Sequence, residues 1–358
     1  MVGGALDFTM NLVQRTRAFM RDRGMRSFEP REGAAHVLKR WMPAEEAEAR
    51  IREIDEVLKF VGENRRPSYE FWTAGINLQT IRSVVERRGG RAPMPLFDNI
   101  GHGQVHAMVK SFGQRHLLIF QYGAKAFTNL FSKALVSVWL RMTQELHGRP
   151  DLIDDDHVLA FMRTLDATTA LQKMMHGYLF LGKPWGGASV SLPEGPQAEM
   201  AGKLEVAMDL FIVAHEYAHI LYEHESNRRL SRHDKELAAD QLGLSLMFGA
   251  FEGDREDFVL PFCGAYLIIG VQEMIMRTIC KIIGQPFDTN NYPAAIERCV
   301  NLLAICERSG MLTQMMEQVA MGMGVVVMKL YSLIEPALID EGKHRPLSNI
   351  WISRTDSQ

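Results

Sequence analysis

The sequence predicts an α+β chain, mostly α, with a small β-sheet or hairpin. Three observations carry this. Most of the chain shows apolar residues at helical spacing, and two short neighbouring segments are rich in β-branched and aromatic residues. One helix-length segment, Val206 to Tyr222, is apolar nearly all round.

Residues 5–23 have the helical period, and Pro43 opens a second helix that runs to about Val61, since proline at a first turn loses no hydrogen bond. A third covers roughly 69–88 and stops at Gly89-Gly90. The stretch Gly89 to Pro95 combines Gly and Pro, which end regular structure, and divides an N-terminal helical region, 1–95, from a larger domain, 96–358. Segments 104–110 and 116–122, joined by a Gly-containing turn, read as a β-hairpin. Helical patterns resume at about 125–147, 155–177, 197–225, 232–250, 256–284, 293–309 and 311–338, with a Pro- and Gly-containing loop at 183–196.

Bulk composition narrows the function classes. The chain has 358 residues with a formal net charge of −3, and that balance speaks against a nucleic-acid binder, which carries a basic face. The basic cluster Arg15, Arg17, Arg21, Arg23, Arg26 and Arg31 is interrupted by acidic residues and reads as a solvated helix face. Four cysteines, none at C-x-x-C spacing, read as buried free thiols in a reducing compartment. The N-terminus lacks a signal-peptide layout. The longest uncharged apolar stretch, Phe258 to Gln272, is shorter than the 18 to 20 residues or so that a membrane span requires. A soluble, cytoplasmic protein without a membrane span is therefore expected. The 22 methionines, scattered at helical spacing, read as adaptable core filling.

The informative segment is VAMDLFIVAHEYAHILY, from Val206 to Tyr222. An apolar helix of this kind is buried, yet it carries Asp209, His215, Glu216, Tyr217 and His219. Burying imidazoles and carboxylates without partners costs several kcal/mol, and a metal ion satisfies them directly. His215 and His219 are four residues apart and share one helix face, so both can aim a ring nitrogen at one ion. Glu216 is offset around the helix and can reach a water in the ion's open position. This is the H-E-x-x-H pattern of two zinc-binding histidines and a general base. Three fixed residues recur by chance in roughly 2 or 3 chains per hundred, so their placement inside a buried helix carries the argument.

A catalytic zinc needs a third protein ligand. Glu223 lies too far along the same helix, His224 follows His219 one residue short of the metzincin spacing and without that motif's glycine, and His233 reads as a surface or capping residue. Glu236 is the choice. Ser231 can cap a helix whose third residue is Asp234, fixing Glu236 about one turn inside. Asp240, one turn further on, can accept the second ring N–H of a zinc-bound histidine. Ala239 and Gly243 on the same face allow close approach to the motif helix.

His215-Glu216-Tyr217-Ala218-His219 followed by Glu236-Leu237-Ala238-Ala239-Asp240 resembles the gluzincin metallopeptidases, with H-E-x-x-H and then E-x-x-x-D, over about 35 contiguous residues. The resemblance implies a zincin-like core, with an active-site helix and a second helix bearing a ligand. It also implies His215, His219 and Glu236 as ligands of one Zn2+ per chain, Glu216 as base and Asp240 as support. Tyr292-Pro293-x4-Arg298 echoes a His-Pro…Arg feature of several gluzincin groups, with Tyr replacing His, and makes Tyr292 and Arg298 candidates for transition-state stabilisation beside a capping or surface role. Lack of spans sets aside the membrane-embedded gluzincins, and among soluble groups the layout is similar to Lit-like bacterial peptidases.

The expected function is zinc-dependent hydrolysis of a peptide bond in a protein or peptide substrate, water being activated by zinc and Glu216. A non-catalytic, zinc-stabilised binding or regulatory protein is the alternative, and hydrolysis of another amide or ester would use the same site. Substrate identity and oligomeric state are not encoded in these motifs.

Overall fold

A computed structural model describes residues 26–27, 45, 69–101, 107–112, 115–145, 155–182, 188–192, 195–222, 230–251, 258–288 and 293–348. Its elements in chain order are β1 (Arg26–Ser27), α1 (Tyr69–Arg87), β2 (Leu96–Gly101), β3 (Ala107–Phe112), β4 (Arg115–Gln121), α2 (Tyr122–Glu145), α3 (Asp155–Arg163), α4 (Asp166–Leu181), α5 (Pro196–Leu221), α6 (Arg232–Ala250), α7 (Val259–Ile283), α8 (Ala295–Arg308) and α9 (Gln314–His344). The mostly α, α+β architecture is as expected. The helices expected over 5–23 and from Pro43 to Val61 fall outside the described residues, apart from helical Glu45. Arg26, expected on a helix face, lies instead in the two-residue strand β1.

The hairpin forms as β3 and β4, antiparallel, with Ala107 opposite Phe120 and Phe112 opposite Arg115. It belongs to a larger sheet than expected, of order β1-β2-β4-β3, because β2 pairs parallel with β4. The segment LFDNIG carries Asp98 and Asn99, residues typical of turns, which hid this strand. Strand β3 lies at the sheet's edge and packs against α5.

The helix expected over 155–177 divides at Thr164-Leu165, without Gly or Pro to mark the break. The backbone tightens there, Thr164 N donating to Phe161 O at 2.9 Å and Leu165 N to Met162 O at 3.2 Å. Threonine hydroxyls add a second bond to each carbonyl, Thr164 Oγ1 to Phe161 O at 2.7 Å and Thr168 Oγ1 to Met162 O at 2.6 Å. Helix α9 runs past its expected end and through Pro336 to His344.

Helix α5 is the centre of the structure. Leu204, Ala207, Met208, Val213, Ala214, Tyr217 and Ala218 are fully buried on it, against α1, α2, α6, α7 and β3. Each large apolar side chain buried here contributes roughly 1.5–3 kcal/mol. Helix α1 packs on it and buries Ala74, Leu78, Ile81 and Val85, a stripe at helical spacing. Arg87 and Arg88 tie the end of α1 to α6 through Gly249 O at 2.8 Å and Ser245 O at 3.0 Å. The Tyr217 hydroxyl donates to Pro93 O at 2.7 Å, so the one polar tip of this face is satisfied.

Two small residues set the helix spacing. At Gly243 of α6 an added Cβ would lie 3.1 Å from the His215 backbone, and at Gly264 of α7 it would lie 2.6 Å from Ala207 Cβ and 2.9 Å from Met208 N. Both helices therefore pack on α5 at nearly backbone contact.

Helices α7 and α9 are each long and apolar enough to cross a membrane by length and composition alone. The uncharged stretch that ends at Gln272 is shorter than α7, which continues beyond Glu273 to Ile283. The most apolar window of α7 is 61% buried inside the protein, as in a core helix, whereas that of α9 is 33% buried.

The packing predicts opposite effects for two glycines of α7. Gly264→Ala should destabilise by about 1–3 kcal/mol, because the methyl meets α5. Gly270→Ala, where nothing lies within 4 Å, should stabilise by about 0.5–1 kcal/mol through helix propensity. Urea denaturation checks both; equal effects would contradict the close approach of α7 to α5.

Candidate metal centre

The site is assembled by α5 and α6. Ser231 caps α6, accepting the Asp234 backbone N–H at 3.0 Å while its hydroxyl donates to Asp234 Oδ2 at 2.6 Å. The expected cap therefore forms, with the aspartate gripping the serine side chain. One turn in, Glu236 faces the two histidines of α5. His215 Nε2 lies 3.2 Å from His219 Nε2 and 3.3 Å from Glu236 Oε2, and His219 Nε2 lies 3.9 Å from that oxygen. All three candidate ligand atoms fall within 4.8 Å of one another.

Those distances suit a tetrahedral ion. Ligand atoms about 2.0–2.2 Å from zinc stand roughly 3.3–3.6 Å apart along the edges of the tetrahedron. The imidazoles are nearly perpendicular, at 81°, so their nitrogens converge instead of stacking. Two neutral imidazoles and one carboxylate form an N/N/O donor set of the kind that can hold a divalent metal ion such as zinc.

Behind the ligands, buried charges alternate in sign. Asp240 is fully buried, and its Oδ1 lies 2.9 Å from His215 Nδ1, which fixes the ring orientation and leaves Nε2 for the ion. Arg298 of α8 grips the same carboxylate with both arms of its fork, Nε to Oδ2 at 2.6 Å and Nη2 to Oδ1 at 2.7 Å. Of the surface, capping and transition-state roles the sequence left open, the surface role does not hold: this arginine is largely buried, with two nitrogens committed to Asp240. Helix α8 is itself capped from α7, where Glu273 accepts the Ala295 backbone N–H.

The protonation states follow. Burial opposes charge on Asp240, but the Arg298 charge and hydrogen bonds overcome it and hold the carboxyl down at about 2. Burial likewise opposes charge on Glu236, yet the His215 hydrogen bond and charge take it to about 2. For His215, burial disfavours the cation, while bonds to Asp240 and Glu236 more than reverse this and push the ring up to about 10. In the metal-free protein that proton adds stability, fully present below about pH 6.5 and lost as pH rises through about 10. Glu216 behaves in the opposite sense: burial raises it to about 8, against the pull of His215, a Val109 backbone N–H and Arg298.

The other candidates are placed as follows. Glu223, His224 and Tyr292 lie outside the described residues. His233 meets Glu297 at 3.0 Å on the surface and is not among the converging groups. Asp209 is satisfied by Lys125 and Thr128 of α2, not by the metal group. Two contacts had no signal in the sequence. Lys125 is 84 residues from its partner, and the Val109 bond to Glu216 comes from the backbone, which residue type does not reveal.

A metal ion must displace the proton held by His215, and this generates a measurable prediction. At about pH 7.5, calorimetry in buffers of different ionisation enthalpy should show release of at least one proton per zinc bound, and affinity should rise about tenfold per pH unit below pH 10. Binding without proton release would contradict the charge alternation described above. Compared with protein-family models, with curated proteins and with solved structures, the chain matches none, so the metal centre rests on its own geometry.

Proposed function

We propose that this protein is a zinc-dependent hydrolase that cleaves a peptide bond in a protein substrate. The observation that carries the reading is the convergence of His215 and His219 of α5 with Glu236 of α6 within 4.8 Å, Glu216 standing beside the two histidines on α5. His215, His219 and Glu236 would hold one zinc ion. Bound there, zinc supplies Lewis acidity, polarising a carbonyl oxygen and bringing the pKa of a water towards neutrality.

The remaining work falls to the chain. Glu216 takes a proton from the attacking water and later delivers it to the departing amine, the two-way role of a single carboxyl in general acid–base catalysis. Its raised pKa in the metal-free protein suits a group that must both accept and return a proton near neutrality. Asp240, gripped by Arg298, keeps His215 in the tautomer that ligates through Nε2. Candidate stabilisers of the developing oxyanion remain Arg298 and Tyr292, the former by its charge close to Glu216 and Glu236.

A polypeptide substrate is favoured by the sheet. Strand β3 is an edge strand packed on α5, and its Val109 N–H reaches Glu216, so an extended chain pairing along that edge would pass the base and the metal ligands.

The reading predicts that Glu216→Gln keeps the zinc content of wild type and loses about 10²- to 10⁴-fold in hydrolysis of a library of quenched fluorescent peptides. Zinc retained with undiminished cleavage would remove Glu216 from the mechanism. A wild-type protein that binds zinc and cleaves no peptide would favour the non-catalytic alternative.

A further inference from the structure

A second buried charge cluster lies on the helix that carries the metal ligands. Lys125 sits in the first turn of α2 and is 4% exposed. A lysine there gains nothing from its own helix, whose N-terminal end favours negative charge. Its ammonium instead meets two carboxylates one turn apart on α5, Glu205 Oε1 at 2.5 Å and Asp209 Oδ2 at 2.6 Å. The second oxygen of each carboxylate is also taken: Thr128 Oγ1 donates to Asp209 Oδ1 at 2.7 Å, and Asn129 Nδ2 donates to Glu205 Oε2 at 2.6 Å. Lys133 Nζ holds Asn129 from behind at 3.0 Å.

As a source of stability this cluster is poor. Two carboxylates share one ammonium away from water, and burial pushes Asp209 up to about 6 against the pull of Lys125. What it does supply is geometry. Apolar faces tolerate small slides, whereas a fully bonded set of charges has one arrangement.

That arrangement bears on the metal centre. Strand β4 ends at Gln121 and α2 begins at Tyr122, with no linker between them. Fixing Lys125 therefore fixes the end of β4, and the ladder carries this to β3, where Val109 stands opposite Leu118. Strand β3 packs directly against α5, and there the Val109 N–H reaches Glu216. On α5, Asp209 and Glu216 are seven residues apart, two turns or about 10.5 Å along one face. The cluster and the Val109 contact are thus two attachments of one strand-and-helix unit to the same face of α5.

We propose that the Lys125–Glu205–Asp209 cluster is a positioning device, which sets where the β3 edge sits against α5 and so holds Glu216 in its place at the metal centre. These residues lie outside the converging group of His215, His219 and Glu236, and their effect on turnover rests on the reading of Glu216 as the base.

The test replaces the cluster as a unit, because Lys125→Met alone would leave two facing carboxylates and can simply fail to fold. In Lys125→Met/Glu205→Gln/Asp209→Asn no unpaired charge stays buried. Zinc content and amide exchange along α5 should match wild type, while the Val109 amide exchanges about tenfold faster or more. For the peptide that wild type cleaves fastest, kcat should fall about tenfold or more with little change in KM. A folded, zinc-loaded triple variant with unchanged Val109 exchange and unchanged kcat would overturn the proposal. Should the triple variant not fold, Glu205→Gln leaves one carboxylate for one ammonium; it should speed Val109 exchange at least about threefold, and no change would overturn the proposal equally. The exchange measurement needs no turnover, so it decides the cluster's role even if Glu216 proves not to be the base.

Discussion

Burying charge on an apolar helix is the constraint that organises this protein. Helix α5 is packed on nearly every side, yet it carries Glu205, Asp209, His215, Glu216 and His219, any of which would cost several kcal/mol if left unpartnered. Each is met from a neighbouring element. Helix α2 brings Lys125 to Glu205 and Asp209, α6 brings Glu236 and Asp240 to the histidines, β3 brings the Val109 N–H to Glu216, and α8 brings Arg298 to Asp240. The partners around α5 are therefore chosen by charge as much as by apolar fit.

Close approach makes these contacts reachable. Gly243 stands one turn after Ala239 and Asp240 and leaves no side chain between α6 and the backbone of His215. The two helices come near enough for short carboxylate side chains to reach α5 directly. The resulting sequence of Glu236, His215, Asp240 and Arg298 alternates in sign, so no member faces a like charge as its nearest neighbour. Glu273, by capping α8 at Ala295, anchors the helix that carries the last of them. Rigidity around His215 and Glu236 is thus supplied by α6, α7 and α8 together.

Much of this was legible in the sequence, for identifiable reasons. His215 and His219 could be read as a pair because helical spacing fixes their relative position, and Ser231 could be read as a cap because capping is local. Glu236 and Asp240 followed from the cap and the helical period. What could not be read were contacts set by tertiary packing. Lys125 meets residues more than 75 positions away, and nothing in its own surroundings marks it as buried. Arg298 was visible only as an echo of a motif, with its target undetermined. Strand β2 escapes the sequence because Asp98 and Asn99 read as turn residues and a parallel partner leaves no local pattern, and the break at Thr164-Leu165 because neither glycine nor proline marks it. Zinc itself, and the hydrolysis built on it, are proposals from the donor set and its geometry.

The most direct test is metal content, by elemental mass spectrometry, of purified wild type beside His219→Ala and Glu236→Ala. The account predicts about one zinc per wild-type chain, lost or strongly weakened in both variants. A wild-type protein that holds no metal even after zinc is supplied would contradict it, leaving His215, His219 and Glu236 as a hydrogen-bonded cluster without an ion.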